Sequence, residues 1–488
     1  NDSIRIDAAQ LRCKVIGEGA NLGLTQRGRI EAALRGVRLN TDAIDNSAGV
    51  NTSDMEVNIK IALSRPMADG RLSVEGRNAL LSEMTDEVAA LVLRNNYLQP
   101  LALSLAERRG VQELGFHQRL MQTLESSGLL DRAVEFLPDE AALTERRQHG
   151  QGLTRPELAV LLAYAKLSLH DEILASTIPD DPYLSRELDR YFPQPLRERF
   201  PEDVAAHRLR REIIATQLAN SMINRGGPAL IVRIADQTGA SAASIAAAFA
   251  AVRDSYGMTA LNAEIDALDN VVAGALQLDL YAAVQDVLLD RIVWFIRNAD
   301  LSGGLANLVD HYRAGIEAVA ASLEQAMPAE AKAAQSARLA TLTSAGVPLA
   351  LARKIACLPL LVSAPDIVLV ADRANKPVPQ VAATYFAAGS FFNLDRILGA
   401  ARSIQASDYF DRLALEGALD AIGRAERQLT TQMLANGSSG SEAVAAWVKS
   451  RGPALDRVRG AVQDMTRSGM TLSKLAVAAS LLGDLAKE

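Results

Sequence analysis

Cysteine is nearly absent: Cys13 and Cys357 are the only two among 488 residues. That excludes a disulfide framework and fits a reduced, cytoplasmic protein. Aromatic residues make up only 4% of the chain, and the net charge is −7. No basic patch with interleaved aromatics exists, so nucleic acid is excluded as a partner. The five histidines, His117, His149, His170, His207 and His311, are scattered with no pair at ligand spacing, and no metal is assigned. No segment reaches the ~18 uninterrupted apolar residues of a membrane span. The nearest approach, Ile355 to Ala371, is broken by Pro359, Pro365 and Asp366 and reads as a buried segment of a soluble protein, with no membrane partner. The opening Asn1-Asp2-Ser3 has neither the basic nor the apolar region of a signal peptide. Asn1 in place of an initiator methionine is the expectation for a chain that begins inside a longer polypeptide.

What is present is alanine and leucine. Hydrophobic residues make up 49% of the chain, enough for a sizeable core. Ala and Leu are the strongest helix formers, so this composition favours helix packed on helix over sheets. The length accommodates roughly two to four domains of ~100–200 residues each.

Residues 1 to 66 differ from the rest. Lys14-Val15-Ile16 is a short apolar run entering a glycine turn at Gly17-Glu18-Gly19; Thr25 to Leu34 reads as a helix with Ile30, Ala33 and Leu34 on one side, and Val37 to Leu39 as a further short strand. Strand, turn, helix, strand is the tail of a βαβ unit. Thr41 to Asn51 is rich in Asp, Asn, Ser and Gly, which is loop chemistry. Met55, Val57, Ile59 and Ile61 alternate as in a strand, yet Ser53 followed by Glu56 is a capping box, and the spacing predicts a helix from Asp54 to about Leu63. Beyond Pro66 helical patterns dominate. Thr154-Arg155-Pro156-Glu157 is a second capping box with proline in the first turn, followed by Leu158, Leu161, Leu162, Ala165 and Leu169 at helical spacing. Val284, Val287, Leu288, Ile292 and Phe295 repeat that spacing. Breaks fall at 179–182, 193–201, 225–228 and 436–440, and no regular repeat suggests a solenoid. The expected fold is mainly α: a short α/β tail of a Rossmann-like dinucleotide-binding domain over 1–66, then a helical domain over 67–488 divided into two subregions near 200–228.

Two stretches can carry chemistry. Gly17-Glu18-Gly19-Ala20-Asn21-Leu22-Gly23 is not a phosphate loop, because Leu22 stands where the fingerprint needs its third glycine. It is either a plain strand-to-helix turn or a turn that aims the Asn21 amide, a donor and acceptor, at a carboxamide ligand. Asp42 to Ser53 is the densest polar stretch. It is either an Asx-rich loop ending in the helix cap Ser53, or a carboxylate site built on the free N–H groups of that helix start.

These two stretches resemble the glutamate dehydrogenases. Glu18-Gly19-Ala20-Asn21 is similar to the family's E-G-A-N turn beside the nicotinamide end of the cofactor, and Asn46 to Ser53 to its N-A-G-G-V-x-x-S motif, whose Val and Ser line the glutamate side-chain pocket. Departures from the short members are Leu22-Gly23-Leu24-Thr25, where a proline and two threonines are usual, and Ser47-Ala48, where Ala-Gly is usual. With residues 152–166 (Gly-Leu-Thr-Arg-Pro-Glu-Leu-Ala-Val-Leu-Leu-Ala-Tyr-Ala-Lys) and Arg211 to Thr216, they resemble the large NAD-specific bacterial branch across essentially the whole chain, the helical part having no counterpart in the short enzymes. The resemblance implies oxidative deamination of L-glutamate to 2-oxoglutarate and ammonium, with NAD as cofactor and a homo-oligomeric assembly. It implies Gly19, Ala20, Asn21 and Asn46 on the cofactor side and Val50 and Ser53 at the substrate's distal carboxylate. It also implies that the catalytic Lys and Asp, the substrate-binding lysines and the phosphate loop lie in an upstream segment of the same polypeptide. No catalytic residue is therefore assigned here, and the fragment alone is expected to be inactive. The alternative from another class is a non-catalytic helical scaffold or a regulatory or oligomerisation module.

Overall fold

The computed structural model describes residues 5–19, 21–401, 403, 404, 406, 408–435 and 437–487. Helices account for nearly all regular structure. In the first part of the chain they are α1 (Gln26–Leu34), α2 (Asp42–Asp45), α3 (Ser47–Ala68), α4 (Val74–Glu83), α5 (Thr85–Arg109), α6 (Leu114–Ser126), α7 (Glu140–Gln148), α8 (Arg155–Leu174), α9 (Arg186–Tyr191), α10 (Gln194–Arg199), α11 (Pro201–Ala205) and α12 (Arg210–Gly226). Helices continue to Leu485.

No strand or sheet occurs among the described residues, which overturns the expected Rossmann-like α/β tail; the mainly α reading stands. The two apolar runs do meet. Ile16 N–H donates to Arg38 O at 2.9 Å and Arg38 N–H to Lys14 O at 2.9 Å, forming one parallel bridge between Val15 and Arg38. Two hydrogen bonds make a bridge and not a ladder, because both segments turn away immediately into helical structure.

The stretch read as a loop is also helical. α2 and α3 follow one another through Asn46, and α3 starts six residues before Ser53, the expected cap. Ser53 lies inside the helix, and the Ser53–Glu56 capping box is not formed. The alternating pattern resolves at the helical period: Met55, Asn58, Ile59, Ala62 and Leu63 are buried, while Val57 is 50% exposed. In α1, Thr25 caps the helix by accepting Gly28 N–H at 3.1 Å, and the buried residues are Arg29 and Ala32 instead of the expected Ile30, Ala33 and Leu34.

Cα packing divides the chain into two compact units, Asn1–Ala250 with Ile292–Leu305, and Ala251–Arg291 with Ala306–Glu488. In the first, α8 is central and packs against α1, α5, α6 and α12. Its start is the expected capping box, in which Thr154 N–H and Oγ1–H both reach Glu157 Oε2 at 2.7 Å. Glu157, 1% exposed, also receives both terminal nitrogens of Arg146 at 2.7 and 2.8 Å, so its charge is paired despite complete burial. Behind the cap, Leu158, Leu161, Leu162, Ala165, Leu169 and Ile173 are buried. Each fully buried leucine contributes about 1.5–3 kcal/mol.

In the second unit, Tyr409–Leu434 packs against Leu472–Leu485 and Val378–Phe391 around Phe392, Leu429, Met433, Trp447, Leu475 and Leu482. A buried charged cluster crosses this core: Asp366 accepts from Arg427, and from Arg291 at 3.4 Å. Beside it Glu426 faces Gly389, where a Cβ would stand 2.7 Å from Glu426 Oε1 and would require that carboxylate to shift. No single helix among the described residues is long and apolar enough to cross a membrane. The apolar pair Leu349–Leu361 and Ala364–Ala374 bends by 56° between its halves, and Ile355, Leu358, Ile367 and Val370 are buried in the unit's own core.

Candidate functional site

The Gly17–Gly23 turn and the α2–α3 junction are distant in sequence but bound to each other by hydrogen bonds. Glu18 N–H donates to Asp45 Oδ2 at 2.8 Å, and Asn46 Nδ2 donates to Glu18 O at 2.6 Å and to Asp42 O at 3.1 Å. Leu22 N–H donates to Asp42 Oδ2 at 3.1 Å. The turn's left-handed residue is Leu22, at φ 62°, and neither Gly17 nor Gly19 has a positive φ. Leucine rarely adopts that conformation, and the Asp42 bond holds it there.

Glu18 is the keystone of the turn. Its carboxylate, 4% exposed, accepts Arg29 Nε at 2.6 Å, Arg29 Nη2 at 2.9 Å and Leu24 N–H at 3.0 Å. Arg29 Nη2 also lies 3.0 Å from Asp42 Oδ1. Burial opposes the guanidinium's charge, but the Glu18 bond and the fields of Asp42 and Asp45 outweigh it and hold Arg29 above its ordinary pKa. The far side of the junction is tied to α8: Asn40 Nδ2 donates to Asp45 Oδ1 at 2.9 Å, and Asn40 Oδ1 accepts Arg155 Nη2 at 2.8 Å.

The residues expected to bind ligand stand around this frame. Gly19 is exposed, and Ala20 lies outside the described residues. Asn21 is exposed in the turn, with no intramolecular hydrogen bond from its side chain among the described residues. Asn46 is committed: both hydrogens of its amide go to backbone carbonyls, leaving only Oδ1. Val50, 76% exposed, and Ser53, also exposed, are three residues apart and share one open face of α3. Ser53 lies seven residues beyond Asn46, about 10 Å along the axis at ~1.5 Å per residue. The free N–H groups of the helix start are thus at Ser47 and Ala48, not beside Ser53 as the capping reading required.

α3 is anchored by other polar groups. Ser47 Oγ accepts Asn96 Nδ2 at 2.9 Å and Gln99 Nε2 at 3.0 Å, and Gln99 Oε1 accepts Lys166 Nζ at 3.3 Å. Burial alone pulls the Lys166 amine down to about 7. Farther along, Tyr191 Oη donates to Asp54 Oδ2 at 2.9 Å and accepts Asn58 Nδ2 at 2.8 Å. His207 Nδ1 accepts Leu209 N–H at 3.1 Å, so the ring proton sits on Nε2, which donates to Asn58 O at 3.1 Å. Sequence reasoning missed Arg29, Ser47, Asn96, Gln99 and Lys166. The available signals were an arginine on the buried side of α1 and a lysine one turn beyond Leu162 in an otherwise apolar stripe.

Residues 1–106 match the family described as bacterial NAD-glutamate dehydrogenase, catalytic domain, and residues 150–484 match glutamate dehydrogenase, C-terminal. An NAD-specific glutamate dehydrogenase from Halomonas elongata is 40% identical over 89% of this chain and 27% of its own length. One from Pseudomonas aeruginosa is 39% identical over 100% of the chain and 30% of its own length. One from Mycobacterium tuberculosis is 34% identical over 98% and 30%. The chain therefore spans less than a third of the length of the curated relatives it matches. The C-terminal match covers well over half of the residues and the catalytic match holds both motif segments, so the chain belongs to the glutamate dehydrogenase family of the bacterial NAD-specific type.

Proposed function

We propose that this chain serves in the oxidative deamination of L-glutamate to 2-oxoglutarate and ammonium, with hydride passing to NAD. The observation that carries the reading is the open α3 face bearing Val50 and Ser53, set next to a turn whose Asn21 amide is unused within the described residues. An apolar side chain beside a hydroxyl suits the methylenes and distal carboxylate of glutamate. An exposed amide suits the carboxamide of nicotinamide, with the Gly19 backbone leaving room for its approach. NAD itself supplies the hydride chemistry. Asn21, Gly19 and Ala20 would hold its nicotinamide end, with Asn46 Oδ1 left as a further acceptor at the junction with the substrate. Residues 1–66 are read as the distal end of the catalytic part and 67–488 as the helical C-terminal part.

The acid–base Lys and Asp are proposed to come from an upstream segment of the same polypeptide, since neither matched motif contains them, and the working assembly is proposed to be a homo-oligomer in the cytoplasm. The test is NADH production by the purified chain against that of the complete polypeptide, with glutamate and NAD. The complete polypeptide should turn over and the isolated chain should not. Glutamate-dependent turnover by the isolated chain would place the acid–base groups within it and overturn the assignment.

A further inference from the structure

The Ser47 hydroxyl accepts amide hydrogens from Asn96 and Gln99 of α5 at 2.9 and 3.0 Å. Gln99 gives Nε2 to Ser47 and turns Oε1 toward Lys166 Nζ of α8, 3.3 Å away. Two helices, α5 and α8, thus reach the first turn of α3 through one row of polar atoms. The row has a direction. Protonated, Lys166 only donates, so it favours the Gln99 orientation whose carbonyl faces it and whose amide hydrogens meet Ser47; the neutral amine that burial favours as pH rises past about 7 imposes no such preference. Without Lys166, Gln99 is free to flip, and Ser47 must then donate its hydroxyl hydrogen to Gln99 Oε1 in place of accepting from Nε2, which rearranges the contact at the first turn of α3. No ion pair engages Lys166 among the described residues, and its partner is neutral. The cation's visible role is therefore to orient an amide and not to balance a charge.

We propose that Lys166 is a positioning residue for the glutamate pocket, acting through Gln99 and Ser47 to set the first turn of α3; this rests on the reading of Val50 and Ser53 given above. Val50 is three residues from Ser47 and Ser53 six, on the same continuous helix. A helix of this length turns as a rod, so a rotation of its first turn moves both pocket side chains together. Lys166 touches no ligand in this scheme. It lies within residues 150–484, the part matched as the C-terminal region, so that part would act on substrate binding indirectly, through α5 and α3.

The test uses the complete enzyme carrying Lys166→Met, Lys166→Arg, Gln99→Leu or Ser47→Ala, with Ser53→Ala as the reference for the pocket. Lys166→Met, Gln99→Leu and Ser47→Ala should each raise KM for glutamate about three- to tenfold, the worth of one hydrogen bond, while KM for NAD stays constant. Lys166→Arg keeps a donor and should restore most of the loss. The double variant Lys166→Met with Ser47→Ala should be no worse than the poorer single variant, as for links of one row. Gln99→Leu leaves the cation in place and decides the question if Lys166→Met does not fold. Unchanged glutamate KM in Lys166→Met and Gln99→Leu, with a raised KM in Ser53→Ala, would overturn the relay and leave the pocket standing. An unchanged KM in Ser53→Ala as well would remove the pocket, and the relay with it.

Discussion

Glu18 and Arg29 form a buried two-point ion pair, Nε to Oε2 at 2.6 Å and Nη2 to Oε1 at 2.9 Å, that clamps the turn around Asn21 onto the first helix. Both side chains are about 95% buried, so neither has water to fall back on. Arg29→Met would leave the Glu18 carboxylate buried with the backbone N–H of Leu24 as its remaining donor among the described residues. Losing one member of such a pair costs about 3–5 kcal/mol. We expect a marked fall in melting temperature of the purified chain, together with weaker NAD binding by the complete enzyme. A variant that melts within a degree of wild type would show that the pair does not hold the turn.

Asn21→Ala should behave in the opposite way. The side chain is exposed and holds nothing together within the described residues, so thermal stability should be unchanged within about 0.5 kcal/mol, as at ordinary surface sites. In the complete enzyme KM for NAD should rise severalfold or kcat should fall. Intact NAD kinetics combined with a lowered melting temperature would make Asn21 a turn residue only.

Ser53→Ala gives a sharper test now that Ser53 is known to lie inside α3. The capping reading demanded a stability loss of about 0.5–2 kcal/mol. An exposed serine inside a helix demands none, and alanine there is if anything favourable. Melting should therefore hold or rise slightly, while KM for glutamate rises more than KM for NAD. Glutamate kinetics identical to wild type would remove Ser53 from the pocket.

Glu426 makes stability depend on pH in the second unit. Burial, reinforced by the fields of Asp366 and Asp395 and opposed by the Tyr385 hydrogen bond and Arg427, raises its carboxyl to about 8, from an ordinary 4.5. The folded chain thus holds this proton more tightly than the unfolded one. Stability from this group is complete below about 4.5, declines as pH rises toward 8, and is constant above that. Glu426→Gln keeps the shape without the charge and should flatten the decline. Urea unfolding at pH 5, 6.5 and 8 measures it; equal slopes in wild type and variant would show that Glu426 does not titrate in this range.

Helix content and the α8 start were legible because one local rule decides each. Ala/Leu periodicity and the Thr154–Glu157 box need no distant partner, and both formed. The α/β reading of residues 14–39 failed because a strand is defined by its neighbours. Lys14–Ile16 and Val37–Leu39 have strand composition and pair once, yet no further partner among the described residues extends them. Ser53 was misread for a related reason. Asp42 to Asn51 looks like a loop locally, but Asp42, Asp45 and Asn46 bond to a turn twenty or more residues away, and with those groups satisfied the backbone is free to coil. Arg29 and Lys166 were invisible as functional positions because their partners, Glu18 and Gln99, lie on other elements.

α3 deserves a mechanical description. Its 22 residues make a rod about 33 Å long at ~1.5 Å per residue. One end is pinned at Ser47, the middle at Asp54 and Asn58 by Tyr191 and His207, and near the far end Arg65 lies 3.8 Å from Asp203. A stiff beam whose middle and far supports shift together tilts about its remaining pinned end. Tyr191, His207 and Asp203 all belong to the segment from α9 to α12. A displacement there, far along the chain from the two motifs, would reach Val50 and Ser53 as a change of angle, with the contacts nearest the pocket left intact.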